Sequence, residues 1–424
     1  MKSILLFVFT LLLSAPVIAQ TWSSASNIPE RVRAGNTAAY SKNGNASLFV
    51  VSGRNQNEII IKKLQRYDLS TNTWSDLASH PTGLLGGATT VLNDSLYVIG
   101  GVVNPPGSGS NKVYKYSIDQ NTWSQAANFP FGIVDAKAVA YQDSLIYVAG
   151  GLGGANNGKV YLYNCHTNKW RVATPFIPSG NRNFGGFAIK GDTLVYMCGT
   201  DGFLSANYFN TVHVGVINQN NRAQITWTIG APFPGATRTF FDANTWSDGI
   251  IMTGGSTDNT FETYSAECYV YHPGSNTWTQ KPNKPTAWLT GQSGSLKLPN
   301  GEWKLICASG YQSAYLNQTE ILTETGTVSA PDLSGNTLCD PTWMQFQNPV
   351  NQYTTIRYCM PQSGLATLSL NDGAGRVVKI LVQEMLPAGE QNAVLDTTGL
   401  PNGLYFISLR RNDSLVTRKL CVLN

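Results

Sequence analysis

Apolar runs ending in a small pair recur six times in the first 328 residues, at Ser52-Gly53, Gly100-Gly101, Gly150-Gly151, Gly199-Thr200, Gly254-Gly255 and Ser309-Gly310. Tryptophans keep step with them: Trp22, Trp74, Trp123, Trp170, Trp227 and Trp278 are separated by 52, 49, 47, 57 and 51 residues. One unit displays the pattern in full. Leu96-Tyr97-Val98-Ile99 precedes Gly100-Gly101, Val113-Tyr114-Lys115-Tyr116 follows after a loop, and Asn121-Thr122-Trp123 opens a last strand. Tyrosine stands seven residues before tryptophan four times, at Tyr67, Tyr116, Tyr163 and Tyr271. Asn72, Asn121, Asn168 and Asn276 lie two residues before the same tryptophans, in turns where asparagine tolerates left-handed backbone angles. Each unit therefore predicts four strands, a to d, of an antiparallel meander.

A period near 50 with one small pair and one tryptophan per unit resembles the kelch repeat, a four-stranded blade of a β-propeller. Strands a converge on the axis of such a fold, which suits the small residues of Gly86-Gly87-Ala88, Ala136 with Ala138, and Gly185-Gly186. Strands d lie at the rim, where tryptophan has room to cover the junction between blades. The paired glycines turn the chain at angles that a side chain forbids. Trp22 opens a strand d with no strands a to c before it, and the final unit, from Leu289 to about Val328, has a, b and c but no tryptophan at the strand d position where one is due. The expectation is an all-β, six-bladed propeller over residues 20–328 whose last blade is closed by the N-terminal strand, leaving no exposed edge. One unit departs from the pattern: Asn220 stands seven residues before Trp227, and the gap of 57 predicts a longer loop there.

Beyond Val328 the pattern stops, and residues 329–342 read as linker. Short alternating segments return from Trp343: 354–360, 365–371, 377–382, 393–395, 404–409 and 416–423. They predict a small Ig-like β-sandwich over 343–424. Asn348-Pro349, Thr355-Ile356-Arg357-Tyr358, the run from Asn371 to Val378 with Gly373, Gly375 and Arg376, the run from Gly399 to Phe406 with Gly403 and Tyr405, and the closing Arg418-Lys419-Leu420 resemble the C-terminal sorting domain of type IX secretion substrates. Cys359 and Cys421 depart from that family's pattern. The resemblance implies recognition of 343–424 by outer-membrane secretion machinery, followed by release or lipid anchoring of the cargo, with the propeller as the working part.

The N-terminus agrees with export. Lys2, the apolar stretch from Ile4 to Leu13 and Val17-Ile18-Ala19 read as a signal peptide over residues 1–19, cleaved after Ala19. The apolar stretch is about half the roughly 20 residues a spanning helix needs. No later segment is apolar enough to span, so no integral membrane segment is expected after cleavage, and the expected location is extracellular, secreted or anchored at the outer surface. The net charge of +4 is small and dispersed, which argues against nucleic acid or an anionic membrane as partner. Seven cysteines, an odd number without close spacing, exclude a dense disulfide framework and a Cys-x-x-Cys zinc site. Cys198 and Cys307 sit in apolar strands and read as small buried hydrophobes.

In a meander the b–c and d–a loops emerge on one face. Counting four residues past Pro29, Pro81, Pro130, Pro178, Pro234 and Pro285 gives Arg33, Leu85, Val134, Arg182, Arg238 and Leu289, which puts three arginines in equivalent places. Converging guanidinium groups suit a carboxylate; the alternative is that they brace neighbouring blades. The same loops offer Trp288, Phe203, Tyr208, Phe261, Tyr264, Tyr311 and Tyr315 as stacking surfaces, and Glu58, Asp135, Asp201, Asp258 and Glu262 as acids or bases. Other chemistry finds little support. His166 and His272 fall in c–d turns on the opposite face, while His80 and His213 belong to distant units, so neither a copper site nor a Ser-His-Asp nucleophile assembles. Ser117 to Trp123 is one residue short of an aspartate box and reads as a turn. Gly150-Gly151-Leu152-Gly153-Gly154 precedes no helix, and no calcium loop is present. No metal or cofactor is expected.

Three functions remain in view. The first is a non-catalytic module binding a glycan or protein on its loop-rich face. The second is a sugar-acid epimerase or mutarotase, because exported six-bladed kelch proteins include N-acetylneuraminate epimerases; Arg33, Arg182 and Arg238 would hold the carboxylate and Glu262 would move protons. The third is an adhesion protein without a discrete small-molecule site.

Overall fold

The computed structural model describes residues 20–423 except 43, 104–106, 154–157, 177–179, 204–206, 259–261, 325–343, 361–363, 388 and 412–413. The signal segment, the linker and Phe261 lie outside the described residues. The chain divides into two compact units, Met1–Thr327 and Val328–Asn424.

Strands of the first unit group into six four-stranded antiparallel sheets among the described residues, none of them closed on itself. Sheet 1 holds Asn36–Lys42, Asn45–Val51, Leu64–Asp68 and Thr73–Leu77. Sheet 2 holds Ala88–Leu92, Ser95–Ile99, Val113–Ser117 and Thr122–Gln125. Sheet 3 holds Lys137–Tyr141, Leu145–Ala149, Val160–Asn164 and Lys169–Ala173. Sheet 4 holds Gly186–Lys190, Thr193–Met197, Val212–Ile217 and Ile225–Gly230. Sheet 5 holds Asp242–Thr245, Ile250–Thr253, Cys268–His272 and Thr277–Lys281. In sheet 6, Gln292–Lys297, Trp303–Ala308 and Thr319–Glu324 are joined by the N-terminal strand Gln20–Ala25, which pairs with Thr319–Glu324. The innermost strands neighbour one another in order, and Gln292–Lys297 also neighbours Asn36–Lys42.

Two sets of hydrogen bonds join successive sheets. At the inner end, the amides of Gly53, Gly101, Gly151, Gly199, Gly255 and Gly310 donate to the carbonyls of Leu84, Ile133, Arg182, Arg238, Trp288 and Val32 at 2.8–3.0 Å. This series corrects one register: Cys198-Gly199, not Gly199-Thr200, is the fourth small pair. The first members Ser52, Gly100, Gly150, Cys198, Gly254 and Ser309 all have φ between 57° and 74°. At the rim, the indole N–H groups of Trp22, Trp74, Trp123, Trp170, Trp227 and Trp278 donate to the carbonyls of Pro282, Ser26, Ala78, Ala127, Thr174 and Ala231 at 2.7–3.0 Å. The repeated asparagine does two jobs. Its φ is 52–55° at Asn72, Asn121, Asn168 and Asn276, and its Oδ1 accepts both the hydroxyl of its own tyrosine and an amide of the preceding sheet, as Asn121 does from Tyr116 and Ala78. In the departing unit Thr174 stands in, its Oγ1 accepting the Ile225 amide at 3.0 Å.

The seam of sheet 6 carries buried charge. Glu324 accepts from Gln20, Trp246 and Ser247, linking the N-terminal strand to sheet 5. Glu320 pairs with Lys284, and both side chains are almost fully buried.

The second unit is a sandwich of two sheets. One orders Met344–Gln345, Tyr353–Met360 and Gly389–Asp396; the other orders Val377–Leu386, Gly364–Asn371, Gly403–Arg411 and Ser414–Val422. Alternate residues Ile356, Tyr358, Leu368, Leu370, Ile407 and Leu409 fill its core. Gly373, Gly375 and Arg376 form a turn around the Asp372 carboxylate, which accepts the amides of Ala374 and Arg376 and, at 2.7 Å, the Arg376 side chain. Gly403 opens the strand in which the Tyr405 hydroxyl donates to the Pro401 carbonyl at 3.0 Å. Lys419 pairs with Phe406, and its carbonyl accepts from Asn348. Cys359 is disulfide-bonded and Cys421 is free. Among the described residues no helix is long and apolar enough to cross a membrane.

Candidate ligand-binding face

Where each d–a loop enters its inner strand, one residue takes a left-handed conformation: Ala34, Gly86, Asp135, Phe184, Phe240 and Thr290 have φ of 49–58°. Their backbones form a chain of bonds around the axis. Gly86 donates to Ala34, Asp135 to Gly86, Phe240 to Phe184, Thr290 to Phe240 and Ala34 to Thr290, at 2.7–3.2 Å. Inside this girdle lies a neck of about 60 Å³, with the rings of Phe184 and Phe240 4.4 Å apart. Asp135 faces the same neck. Burial pushes its carboxyl up to about 7, against the opposing pull of Lys137.

The residue before each girdle position is Arg33, Leu85, Val134, Asn183, Thr239 or Leu289. Each pairs with the residue after a small pair: Arg54, Val102, Leu152, Thr200, Ser256 or Tyr311. Arg182 and Arg238 therefore are not equivalents of Arg33, and the expectation of three arginines in matching places is corrected. They stand one residue earlier, with Val32, Leu84, Ile133 and Trp288, all buried between sheets. Loop length is the cause. Five residues separate Pro178 from Asn183 and Pro234 from Thr239, against four from Pro29 to Arg33, and a shift of one residue turns a side chain to the other side.

Arg238 is 1% exposed; it donates to the Gly254 carbonyl at 2.9 Å, pairs with Glu267 and lies 5.3 Å from the Phe233 ring. Arg182 lies 3.8 Å over Phe209 and donates to the Asn181 carbonyl, and burial lowers its pKa. Trp288 is 3% exposed, with Lys284 Nζ 4.3 Å from its ring, so its faces are spent on packing. All three side chains are buried and packed.

Arg33 differs. Its Nε donates to the Tyr315 hydroxyl at 2.9 Å and its Nη2 to Glu58 at 3.0 Å, while the guanidinium lies 5.4 Å from the Tyr311 ring. Tyr315 donates to the other Glu58 oxygen at 2.6 Å, and Arg54 reaches Glu58 at 3.1 Å. Two guanidinium groups thus share one carboxylate and leave one positive charge in excess. Side-chain exposures of 25% for Arg33, 27% for Arg54 and 54% for Glu58 keep the cluster open to solvent. Burial disfavours ionisation of Glu58, but hydrogen bonds from Tyr315, Arg54 and Arg33 outweigh it and hold the carboxyl below its ordinary range. Burial, then Glu58, push the Tyr315 hydroxyl up to about 12. Arg54 is the residue that sequence reasoning missed. Its signal was its place directly after Ser52-Gly53, the position that faces Arg33.

Tyr311 lies 6.3 Å from Tyr264 and 5.6 Å from Tyr315, extending the aromatic wall. Glu262 is exposed on the loop that also carries Tyr264. Phe203 is 58% exposed beside Phe184, Asp201 accepts from Asn207, and Tyr208 pairs across Thr200 from Asn183. The histidines stay apart: burial lowers the pKa of His80 to about 4, His213 stacks on Phe176, and His272 meets Asp248 near the c–d turns. Among the described residues no three His, Cys, Asp or Glu side chains gather as a metal site.

Residues 48–320 match the Attractin/LZTR1 beta-propeller family, and residues 346–423 match the secretion system C-terminal sorting domain. Beta-scruin of Limulus polyphemus is 36% identical over 72 residues, which cover 16% of this chain and 8% of that protein. The chain thus spans only a small part of that relative. The solved structure of YjhT superposes with a TM-score of 0.57 at 17% identity, over 70% of this chain and 95% of YjhT, a likeness of fold. Repeat, sheet order and family match agree: this chain belongs to the Attractin/LZTR1 beta-propeller family and carries a C-terminal secretion sorting domain.

Proposed function

We propose that this protein is a six-bladed propeller, exported through its sorting domain to the cell surface or medium, that binds a glycan or protein on the face built from its b–c and d–a loops without catalysing a reaction. The single observation that carries the reading is the half-exposed cluster of Arg33, Arg54, Glu58 and Tyr315 beside Tyr311, where charge and aromatic surface stand together in reach of solvent. The closure of the ring is supported by six inter-sheet glycine bonds, the last of which returns to Val32. Interaction of 343–424 with outer-membrane machinery is supported by the sorting-domain match.

The epimerase reading asks three arginines to converge on one carboxylate. With Arg182 and Arg238 committed to packing, only Arg33 remains in place, so the binding reading is favoured. A glycan array and a pull-down from the native surface, run with the Arg33→Ala and Arg54→Ala variants, test it. Binding that falls at least about tenfold in either variant supports the reading. One-dimensional NMR showing accelerated anomer exchange of N-acetylneuraminate, lost with Arg33→Ala, overturns it in favour of the enzyme.

A further inference from the structure

A second cavity lies on the propeller axis, on the other side of the neck, and the reading above makes no use of it. It measures about 390 Å³ and runs along the inner strands toward the a–b turns. That volume falls within the roughly 300–1,000 Å³ of small-molecule sites. Small residues keep it open: Ala38, Ala138, Ala188 and Ala243 line it from four different sheets.

Its polar groups converge from several sheets. Lys137 of sheet 3 and Asp242 of sheet 5 meet at 2.5 Å, passing the small inner residues of the sheet between them. Gly186 lets sheets 4 and 5 lie close at the axis, since a Cβ there would stand 2.6 Å from that of Ala243. The pair is mutually neutral, so the cavity offers no net charge for an ion. It does offer unspent hydrogen-bonding capacity. An ammonium group has three donors, of which Asp242 takes one. Asn244 and Ser293 bond to each other at 2.9 Å on the same wall. At the outer end Trp303 lines the cavity, with Lys190 Nζ 5.3 Å from its ring. Donors and acceptors around a neutral centre, with an indole at the rim, match a ring bearing many hydroxyls and an apolar C–H face.

We propose that the axial cavity is a second binding site, separate from the loop-rich face, for a small uncharged polyhydroxylated ring such as a monosaccharide or cyclitol. The site depends on the cavity and on its polar lining, and does not require the Arg33 cluster.

Saturation-transfer NMR on the full chain with glucose, galactose, mannose, N-acetylglucosamine and myo-inositol as probes tests it. Thr89→Leu projects a larger side chain into the cavity and removes no protein hydrogen bond; a paired Lys137→Met, Asp242→Leu variant removes both charges together. At least one probe is expected to receive saturation, with affinity falling about tenfold or more in Thr89→Leu and unchanged in Arg33→Ala, while circular dichroism and Tm show both variants folded. Absence of transfer to every probe means a solvent-filled channel and overturns the proposal. Transfer lost in Arg33→Ala but kept in Thr89→Leu also overturns it, by placing the ligand on the loop-rich face.

Discussion

The amide of Gly310 donates to the carbonyl of Val32 at 3.0 Å, joining the last small pair of the propeller unit to the residue two before its first girdle position, Ala34. The φ of Gly310 is 104°, and a Cβ there would lie 2.9 Å from Gly291 Cα and from the Trp288 ring. Gly310→Ala is therefore expected to destabilise the protein by roughly 1–3 kcal/mol through backbone strain and crowding. Gly274→Ala, where nothing lies within 4 Å and φ is ordinary, is the control expected to stay near neutral. Urea denaturation of the two variants measures the difference.

The rim staple separates conformation from hydrogen bonding. Asn121 combines φ of 53° with acceptance from Tyr116 at 2.7 Å and from the Ala78 amide at 2.8 Å. Asn121→Ala is expected to cost about 2 kcal/mol, through both strain and lost bonds. Asn121→Gly relieves the strain alone and is expected to recover part of the loss. Equal destabilisation in the two would mean that the backbone angle contributes nothing.

Two arginines with the same expected role are expected to respond oppositely. Arg238→Met removes a buried guanidinium and leaves the Gly254 carbonyl without that donor, at a cost of about 2–4 kcal/mol; Glu267, partly exposed, can turn to water. Its effect on ligand binding is expected to be small. Arg33→Ala is expected to change stability by less than about 1 kcal/mol, as for other solvent-exposed ion pairs, and to weaken binding. Thermal melts and the glycan array read both. A large Tm loss in Arg33→Ala would make it a brace as well.

The Asp135 carboxyl is raised in the folded protein to about 7, above the range of an unfolded aspartate. The folded state then holds a proton that the unfolded state releases. Its contribution to stability is full below about pH 4, falls as pH rises toward 7 and is constant above that. Asp135→Asn removes this dependence and keeps a residue that accepts φ of 54°. At pH 8 it is expected to be more stable than the parent by on the order of 2 kcal/mol, with the advantage vanishing near pH 4. Parallel stability curves for the two proteins across that range would refute the shift.

Much of the fold was legible because the repeat writes the same physical demands six times. Tyr116, Asn121 and Trp123 announce a hairpin whose turn needs asparagine and whose tryptophan needs a neighbour; Tyr116 bonds to Asn121 within the hairpin, and Asn121 and Trp123 both find Ala78 of the preceding sheet. Gly100-Gly101 announces a turn that tolerates no side chain, and Trp22 announces a strand in search of a sheet, which Thr319–Glu324 supplies. In the sandwich the run from Gly373 to Arg376 forms a turn and Gly403 opens a strand.

The sequence by itself determined these local demands and their period, because turns, small pairs and alternating apolar runs depend on residues close in the chain. The tertiary structure alone decided which loop residues face solvent. One additional residue after Pro178 and after Pro234 moved Arg182 and Arg238 from the open row into the packed one. Pairing of Val32–Arg33 with Arg54–Asn55 brought Arg33 to Arg54 and Glu58, and packing around the axis brought Lys137 of sheet 3 to Asp242 of sheet 5. Side-chain direction reverses with every residue of a strand, so a single insertion in a loop changes which face a residue serves without changing the repeat that surrounds it.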